Sequence, residues 1–363
     1  MPILLRIPTP LWKHSWGTFR ETKLPSRSRI TIKDVAERVG VHPSTVSRVL
    51  NPATRGRITS EIVSRVNEAA EELGYRPNQA ARGLRTNRTH TIGVLIPDIT
   101  NPLFPPIIRG IEDGLATHGY TAILGNTDNI AERETETVAT MRARQVDGLI
   151  LATARRDDPI VAECIADGLP LVLVNRTADI DGVSSIVNDD ALGIALAVRH
   201  LKSLGHTRIA HIAGPRSLST GEARRRSFHD VMTSENLDCD AALVAETTAF
   251  SEDEGLRACA ELIAKNLKFT AVVAANDLIA LGAYEAIADA GLTCPADISV
   301  TGFNDMPFVD RLTPPLTTVR IPHYELGREA ARRLIELVES PDSPARATML
   351  RPELIIRGST KAV

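Results

Sequence analysis

The segment from Ile30 to Leu50 constrains this chain more than any other part of its sequence. Its first half carries apolar residues at helical spacing and ends at Gly40, a residue type that accepts the left-handed backbone of a helix end. Pro43 suits the first turn of a second helix, since its missing N–H costs nothing there. Two short helices joined by so tight a turn predict a helix-turn-helix, whose second helix enters the major groove of DNA.

The second helix is expected to bury one face and expose the other. Its apolar residues are Val46, Val49 and Leu50. The residues that point outward are short or cationic, namely Ser44, Thr45, Ser47 and Arg48. Such side chains are suited to base edges and phosphates, so this face is the expected DNA-reading surface.

A third helix follows and completes a small bundle. We expect Thr59 to cap it and Gly74 to end it. Its predicted inner face consists of Ile62, Val66, Ala69, Ala70 and Leu73. The charge distribution agrees with a DNA-binding head, because residues 1–88 hold 16 Lys/Arg and 7 Asp/Glu, whereas the rest of the chain is acidic overall.

Two segments around this bundle carry weak structural signals. Residues 1–28 contain several prolines and are interpreted as a disordered arm or a mis-set translation start. The segment 76–88 can form only a short helix, which is unstable alone and would order only against a partner surface. A plain flexible linker is the alternative interpretation of 76–88.

Beyond Thr91 the sequence alternates apolar runs with amphipathic helices, which predicts parallel sheets covered on both faces. The predicted strands are 92–97, 120–124, 147–151, 171–174, 209–213, 242–246, 271–275 and 299–303. The predicted helices are 104–118, 131–144, 159–167, 189–204, 222–235, 252–265, 279–290 and 324–339. The pattern restarts at Asp189, so we expect two doubly wound domains with a ligand cleft between them.

The cysteines and the apolar runs exclude several other classes of protein. The four cysteines are far apart and show no metal-ligand spacing, which favours reduced thiols in a cytoplasmic protein without a metal site. No apolar run approaches the length of a membrane-spanning helix. The sequence contains no glycine-rich phosphate loop and no nucleophile–base pair, so we expect neither catalytic residues nor a cofactor.

The ordered motifs of the chain resemble those of the lac-repressor/gal-repressor family of bacterial transcription regulators over residues 30–360. The motifs begin at Thr31 (TIKDVA), Ser44 (STVSRVLN), Gly74 (GYRPN), Ile92 (IGVLIP), Asn101 (NPLF), Val146 (VDGLI), Gly205 (GHTRIA), Asn276 (NDLIALG), Ala296 (ADISV) and Pro315 (PLTTV). The resemblance implies a homodimer on a pseudo-palindromic operator, with a small all-α helix-turn-helix head. It also implies an α/β periplasmic-binding-protein-like core of two doubly wound parallel-sheet subdomains.

The resemblance also sets the expected domain boundaries. They are the arm at 1–28, the helix-turn-helix domain at 29–75, the hinge at 76–88 and an effector-binding and dimerisation core at 89–363. Within the core, the N-subdomain takes about 89–188 plus 322–347, and the C-subdomain takes about 189–321 plus 348–360. The family's tetramers use an additional C-terminal heptad segment, which this sequence lacks, so we expect a dimer.

Several DNA contacts follow from the same resemblance. Base reading is assigned to Pro43, Ser44, Thr45 and Arg48, and phosphate contacts to Thr31, Ser47 and Asn51. Leu84 matches a hinge leucine that wedges into the minor groove and kinks the DNA, with Asn78 and Arg82 along that groove or its phosphates. His42 replaces a serine before the recognition helix, which indicates a slightly weaker cap rather than a pH switch.

The positions that match the family's effector cleft are Phe104, Asn175, Thr220, Arg224, Phe250, Asn276 and Asn304. Arg224 offers a planar fork of donors, the Asn276 and Asn304 amides can donate to and accept from hydroxyls, and Phe250 offers a face for a ring. Each has a plainer alternative: a lone phenylalanine is more often core, and Asn304 could belong to an ordinary turn.

Two departures from the residues of other family members bear on the chemistry of the effector. Asn175 and Asn304 stand where sugar-binding members often carry aspartate, which leaves room for sugar acids or phosphosugars. Leu218 replaces an arginine of the purine-responsive member and argues against a purine. We therefore expect a ligand-controlled repressor of a carbohydrate-use operon, and the alternative is a solute-binding protein with a non-functional N-terminal addition.

Overall fold

The computed structural model describes residues 30–50, 55–56, 58–76 and 88–363. The chain divides into two units, Met1–Gln79 and Ala80–Val363, which are described separately. The arm at 1–28 and the predicted DNA contacts Asn51, Asn78, Arg82 and Leu84 lie outside the described residues.

The first unit contains the three predicted helices: α1 (Ile32–Val39), α2 (Pro43–Val49) and α3 (Ser60–Glu72). Fully buried valines from each helix, among them Val35, Val46 and Val66, meet at the centre of the bundle. Gly40 ends α1 with a φ of 74°, and Pro43 is the first residue of α2, as the sequence predicts. The helix-turn-helix prediction is therefore confirmed.

The sequence prediction for α3 needs two corrections. Thr59 occupies the N-cap position, but its side chain makes no capping hydrogen bond. The buried face of α3 includes Val63, while the expected Ile62 is only partly buried. The helix is thus rotated slightly from the predicted orientation, because its packing against α1 and α2 decides which residues face inward.

The second unit contains two six-stranded sheets. The first sheet is formed by β1 (Thr91–Ile96), β2 (Thr121–Asn126), β3 (Gly148–Leu151), β4 (Leu171–Val174), β5 (Ser184–Asn188) and β11 (Ala347–Leu350). The second is formed by β6 (Ile209–Ala213), β7 (Val244–Glu246), β8 (Ala271–Ala274), β9 (Ser299–Asn304), β10 (Thr317–Arg320) and β12 (Glu353–Ile355). Their strand orders are β11-β5-β4-β3-β1-β2 and β12-β10-β9-β8-β6-β7. All pairs are parallel except β10 with β12, which is antiparallel.

Helices cover both sheets. Those on the first sheet are α4 (Phe104–Ala116), α5 (Ala131–Ala143), α6 (Pro159–Ala166) and α11 (His323–Glu339). Those on the second are α7 (Asp190–Ser203), α8 (Ser219–Ser234), α9 (Glu252–Ala264) and α10 (Asp277–Asp289). Two three-residue 3₁₀ helices, Ala241–Leu243 and Val309–Arg311, complete the described elements of this unit.

Two glycines let α4 and α11 approach each other closely. A Cβ at Gly110 would collide with the backbone oxygen of Tyr324, and one at Gly327 with that of Ile107. Because α11 follows the second sheet in the chain yet packs on the first, this contact fastens the returning segment to the N-terminal half of the core.

The eight strands predicted above do not include β5, β10, β11 or β12, and β5 and β11 have the weakest local signal. Both strands have partly polar sequences, and β11 is an exposed edge strand, so neither shows a continuous apolar run. Since β11 extends to Leu350 within the first sheet, the last crossing of the chain follows Leu350, slightly beyond the expected boundary at about 347–348. In the ranges that the structure describes, no helix is long and apolar enough to span a bilayer.

Candidate functional site

A cavity with about 330 Å³ of empty space, part of it open to solvent, lies between the two halves of the core. All seven residues that the resemblance assigned to an effector line it: Phe104, Asn175, Thr220, Arg224, Phe250, Asn276 and Asn304. Three lining residues were not predicted, namely Asn101, Leu103 and Arg176. The structure therefore brings the predicted residues together, although their role in binding remains a prediction.

The strand ends explain why these residues meet. Asn175 follows β4, Asn276 lies just beyond β8, and Asn304 is the last residue of β9. The carboxyl ends of parallel strands form one edge of a sheet, which is where open α/β sheets bind ligands. The two sheets contribute such edges from opposite sides of the cavity.

Arg224 is fixed in place by its buried surroundings. Its side chain, on α8, donates from Nε to Asp190 Oδ1 at 2.8 Å and from Nη1 to the Ala275 carbonyl at 2.7 Å. The guanidinium carbon lies 3.7 Å from the ring centroid of Phe303, and the residue is 2% exposed. These contacts use Nε–H and one N–H of Nη1, so the second N–H of Nη1 and the two of Nη2 can still donate to a ligand.

Asn276 serves the fold as well as the cavity. Its Oδ1 accepts a hydrogen bond from the backbone N–H of Ile279 at 2.9 Å and so caps α10. The sequence analysis expected Asn276 both to donate to ligand hydroxyls and to accept from them. Its capacity to accept is reduced, because Oδ1 already accepts the capping hydrogen bond. The amide NH₂ of Asn276 can donate into the cavity, and Oδ1 keeps a second lone pair.

Asn175 and Asn304 share an unusual conformation. Their φ angles are 65° and 112°, outside the range that most L-residues prefer. They are 5% and 3% exposed, and the side-chain Oδ1 of each is buried without a hydrogen-bond partner among the described residues. An unsatisfied buried acceptor costs roughly 1–3 kcal/mol, so both oxygens favour a ligand that can donate to them.

Arg176 was missed by the sequence analysis, although it directly follows Asn175 at the end of β4. It is 6% exposed, donates from Nη1 to the Thr153 carbonyl at 3.3 Å, and leaves its buried Nε without a partner among the described residues. Burial lowers the pKa of Arg176 to about 10, against the opposing charge of Glu134. The side chain thus remains a cation at neutral pH.

The remaining predicted residues form the walls of the cavity. Phe104 is almost wholly buried and belongs to the core, whereas Phe250 is half-buried and can offer its ring face. Thr220 lies in the first turn of α8 and is buried. A neighbouring cleft shares Arg176 and Phe250 with the cavity, and its lining includes the carboxylates of Asp98, Glu252 and Asp253.

The outward face of α2 has the predicted composition. Ser44 and Arg48 are exposed, and Pro43, Thr45 and Ser47 are half-buried. Thr31 is exposed, and both its backbone N–H and its hydroxyl donate to Asp34, at 2.6 and 2.9 Å.

His42 takes the place of the missing serine cap. Its Nδ1 accepts from the backbone N–H of Ser44 at 3.2 Å and lies 2.8 Å from the Ser44 hydroxyl oxygen. The long capping bond agrees with the expected weaker cap. It also places the His42 ring against Ser44, one of the expected base-reading residues.

The described residues include no group of three or more His, Cys, Asp or Glu side chains that could hold a metal ion. The four cysteines are free thiols. Neither finding adds a second site to the two surfaces above.

Comparisons with known proteins agree with this organisation. Residues 31–78 match the family model described as "Bacterial regulatory proteins, lacI family", and residues 198–360 match a periplasmic binding protein-like domain. The ribose operon repressor of Escherichia coli K12 is 36% identical over 333 residues, which cover 91% of this chain and 99% of that protein.

Two solved structures extend the likeness to three dimensions. A lac repressor dimer bound to operator and the anti-inducer ONPF has a TM-score of 0.80 and 30% identity, covering 92% of this chain and 99% of that one. A LacI family transcriptional regulator from Enterococcus faecium with bound ribose has a TM-score of 0.65 and 32% identity, covering 75% and 99%.

Proposed function

From the premise that this chain belongs to the lacI family of bacterial regulatory proteins, and is a DNA-binding transcriptional regulator, we propose that a small polyhydroxylated effector occupies the core cavity. The effector is a sugar or sugar derivative, and the protein represses a set of genes for carbohydrate use. It acts in the cytoplasm as a homodimer on a pseudo-palindromic operator.

The observation that carries this proposal is that all seven residues assigned by resemblance to the family line one cavity, although they are far apart in the sequence. Its polar lining combines donors with buried acceptors, which suits hydroxyl groups because each hydroxyl can both donate and accept. Two similar proteins carry ribose in their names or titles.

Effector binding can change DNA binding by changing the relative position of the two halves of the core. The cavity residues come from both halves, so a ligand that contacts Asn175 and Asn276 together stabilises one arrangement of the halves over others. Such a difference is worth roughly 1–3 kcal/mol in known allosteric proteins. We propose that it alters the pairing of the two hinges in the dimer.

The DNA contacts form the second part of the proposal. Pro43, Ser44, Thr45 and Arg48 read bases, and Thr31, Ser47 and Asn51 hold phosphates. In the hinge, Leu84 wedges into the minor groove, with Asn78 and Arg82 beside it. Phosphate contacts release counterions, so operator affinity falls steeply as salt is raised.

A ligand screen by thermal unfolding of the full chain tests the effector proposal. A ligand at 100 times its dissociation constant adds about 2.7 kcal/mol to the free energy of unfolding, which is easily measured. We expect a hit among sugars, sugar acids and sugar phosphates, and we expect that hit to change operator affinity. No stabilisation by any of them, or stabilisation without an effect on operator binding, would contradict the proposal.

A further inference from the structure

We infer that the effector carries a negative charge, a carboxylate or a phosphate, bound between the guanidinium groups of Arg176 and Arg224. In this arrangement, hydroxyls elsewhere on the ligand donate to the side-chain oxygens of Asn175 and Asn304. The inference rests on the proposed function and narrows its ligand class from sugars in general to anionic sugar derivatives.

The charges on the cavity wall are the first argument. The lining contains two arginines and no aspartate or glutamate. A buried carboxylate facing a ligand would repel an anion and accept hydrogen bonds from a neutral sugar. Neutral amides at Asn175 and Asn304 accept from hydroxyls without that repulsion, so the wall tolerates an anion at close range.

Arg176 supplies the second argument. It is a buried cation whose Nε has no hydrogen-bond partner among the described residues, and it lines both the cavity and the cleft outside it. A buried donor on a charged group is costly when unpaired. Oxygens of a carboxylate or phosphate would satisfy it with charge-assisted hydrogen bonds.

The nearby acids Asp190 and Glu134 do not remove the preference of the cavity for an anion. Asp190 does not line the cavity, and its carboxylate accepts a hydrogen bond from Nε of Arg224. Glu134 accepts from the Thr153 hydroxyl, and burial raises the pKa of Glu134, which weakens its neutralisation of Arg176. Each carboxylate is thus already hydrogen-bonded within the protein, and neither lines the cavity.

Isothermal titration of the full chain with matched ligands tests the inference. The probes are D-ribose, D-ribonate and D-ribose 5-phosphate, followed by other monosaccharides, each with its acid and phosphate. We expect an anionic member to bind at least 10-fold more tightly than its neutral counterpart, and the acid and phosphate arms decide which anion is recognised.

Variants separate a charge contact from a structural role. Arg176→Gln should weaken the anionic probe roughly 10- to 100-fold, the loss expected for a hydrogen bond to a charged group, with little effect on any neutral ligand. Arg176→Lys should keep part of the affinity, and Asn175→Asp should weaken the anion. Arg226→Gln removes an exposed charge from the same helix as Arg224 and is the matched control, with unchanged binding.

The outcomes distinguish a failure of this inference from a failure of the proposed function. If neutral sugars bind as tightly as their acids and phosphates, or if Arg176→Gln weakens neutral and anionic probes equally, the inference is wrong while the proposed function stands. If no member of the panel binds, the proposed function fails as well. Loss of folding in Arg176→Gln would leave the Asn175→Asp and Arg176→Lys comparisons to decide.

Discussion

The buried ion pair between Arg224 and Asp190 allows a quantitative prediction. The two side chains are 3% and 12% exposed, and Nε lies 2.8 Å from Oδ1. Arg224→Met keeps an unbranched side chain but leaves the Asp190 carboxylate buried without its cation. Breaking a buried pair in this way costs roughly 3–5 kcal/mol, and we expect that loss in the free energy of unfolding.

The reverse expectation holds for the double variant. Arg224→Met with Asp190→Leu removes both charges, and replacing a buried pair with apolar groups is often neutral or stabilising. The double variant should therefore recover most of the stability that Arg224→Met loses. The coupling energy between the two positions should be several kcal/mol, far from additive.

The stability loss should also depend on pH. Burial raises the pKa of Asp190, and the charge of Arg224 opposes that rise. Removing Arg224 therefore raises the pKa further. A carboxyl group with a raised folded pKa loses stability as pH rises through that pKa, so the deficit of Arg224→Met should be larger at pH 8 than at pH 5.

Urea unfolding followed by far-UV circular dichroism measures these quantities. Fluorescence is unsuitable, because both tryptophans, Trp12 and Trp16, lie in the N-terminal arm. A loss below about 1 kcal/mol in Arg224→Met would refute the reasoning, since an uncompensated buried charge costs well above that amount. A deficit that is larger at pH 5, or a double variant as unstable as the sum of the singles, would also refute it.

Three further predictions concern the helices and the hinge. Gly327→Ala should destabilise the core by roughly 1–3 kcal/mol in urea unfolding, because the new Cβ collides with the Ile107 backbone; a neutral result would contradict the tight packing of α4 on α11. Asp158→Ala removes the cap that accepts from Ile160 at 3.0 Å and should cost roughly 0.5–2 kcal/mol, whereas Asp158→Asn should cost less. Leu84→Ala should reduce DNA bending in permuted-fragment electrophoresis without changing effector binding, and full bending would exclude the wedge.

The head and most of the core could be predicted because single residues there carry a strong local signal. Gly40 can take a left-handed backbone, and Pro43 fits a first helical turn, whatever surrounds them. Parallel strands that are buried on both faces also carry a local signal, because they consist of continuous apolar runs. The strands β5 and β11 lack such runs, and their pairing depends on tertiary contacts that no local pattern records.

The residues of the cavity were also predictable only in part. Its residues were placed by resemblance to a family, and their separation along the chain gives no local signal that they meet. Arg176 was missed because the sequence does not show that this arginine is buried. The capping role of Asn276 was readable from its position before α10, but its ligand role was considered alone.

Operator affinity with and without the ligand tests the central claim most directly. The DNA site is selected from genomic fragments with the full chain, and the ligand is the strongest hit of the thermal screen. Fluorescence anisotropy then gives the operator dissociation constant for the wild type, Arg226→Gln and Arg176→Gln. We expect the ligand to change it at least about 5-fold in the first two proteins and not in Arg176→Gln at the same ligand concentration. An equal change in all three proteins would contradict the role of Arg176 in binding the effector, and no change in the wild type would contradict effector control through this cavity.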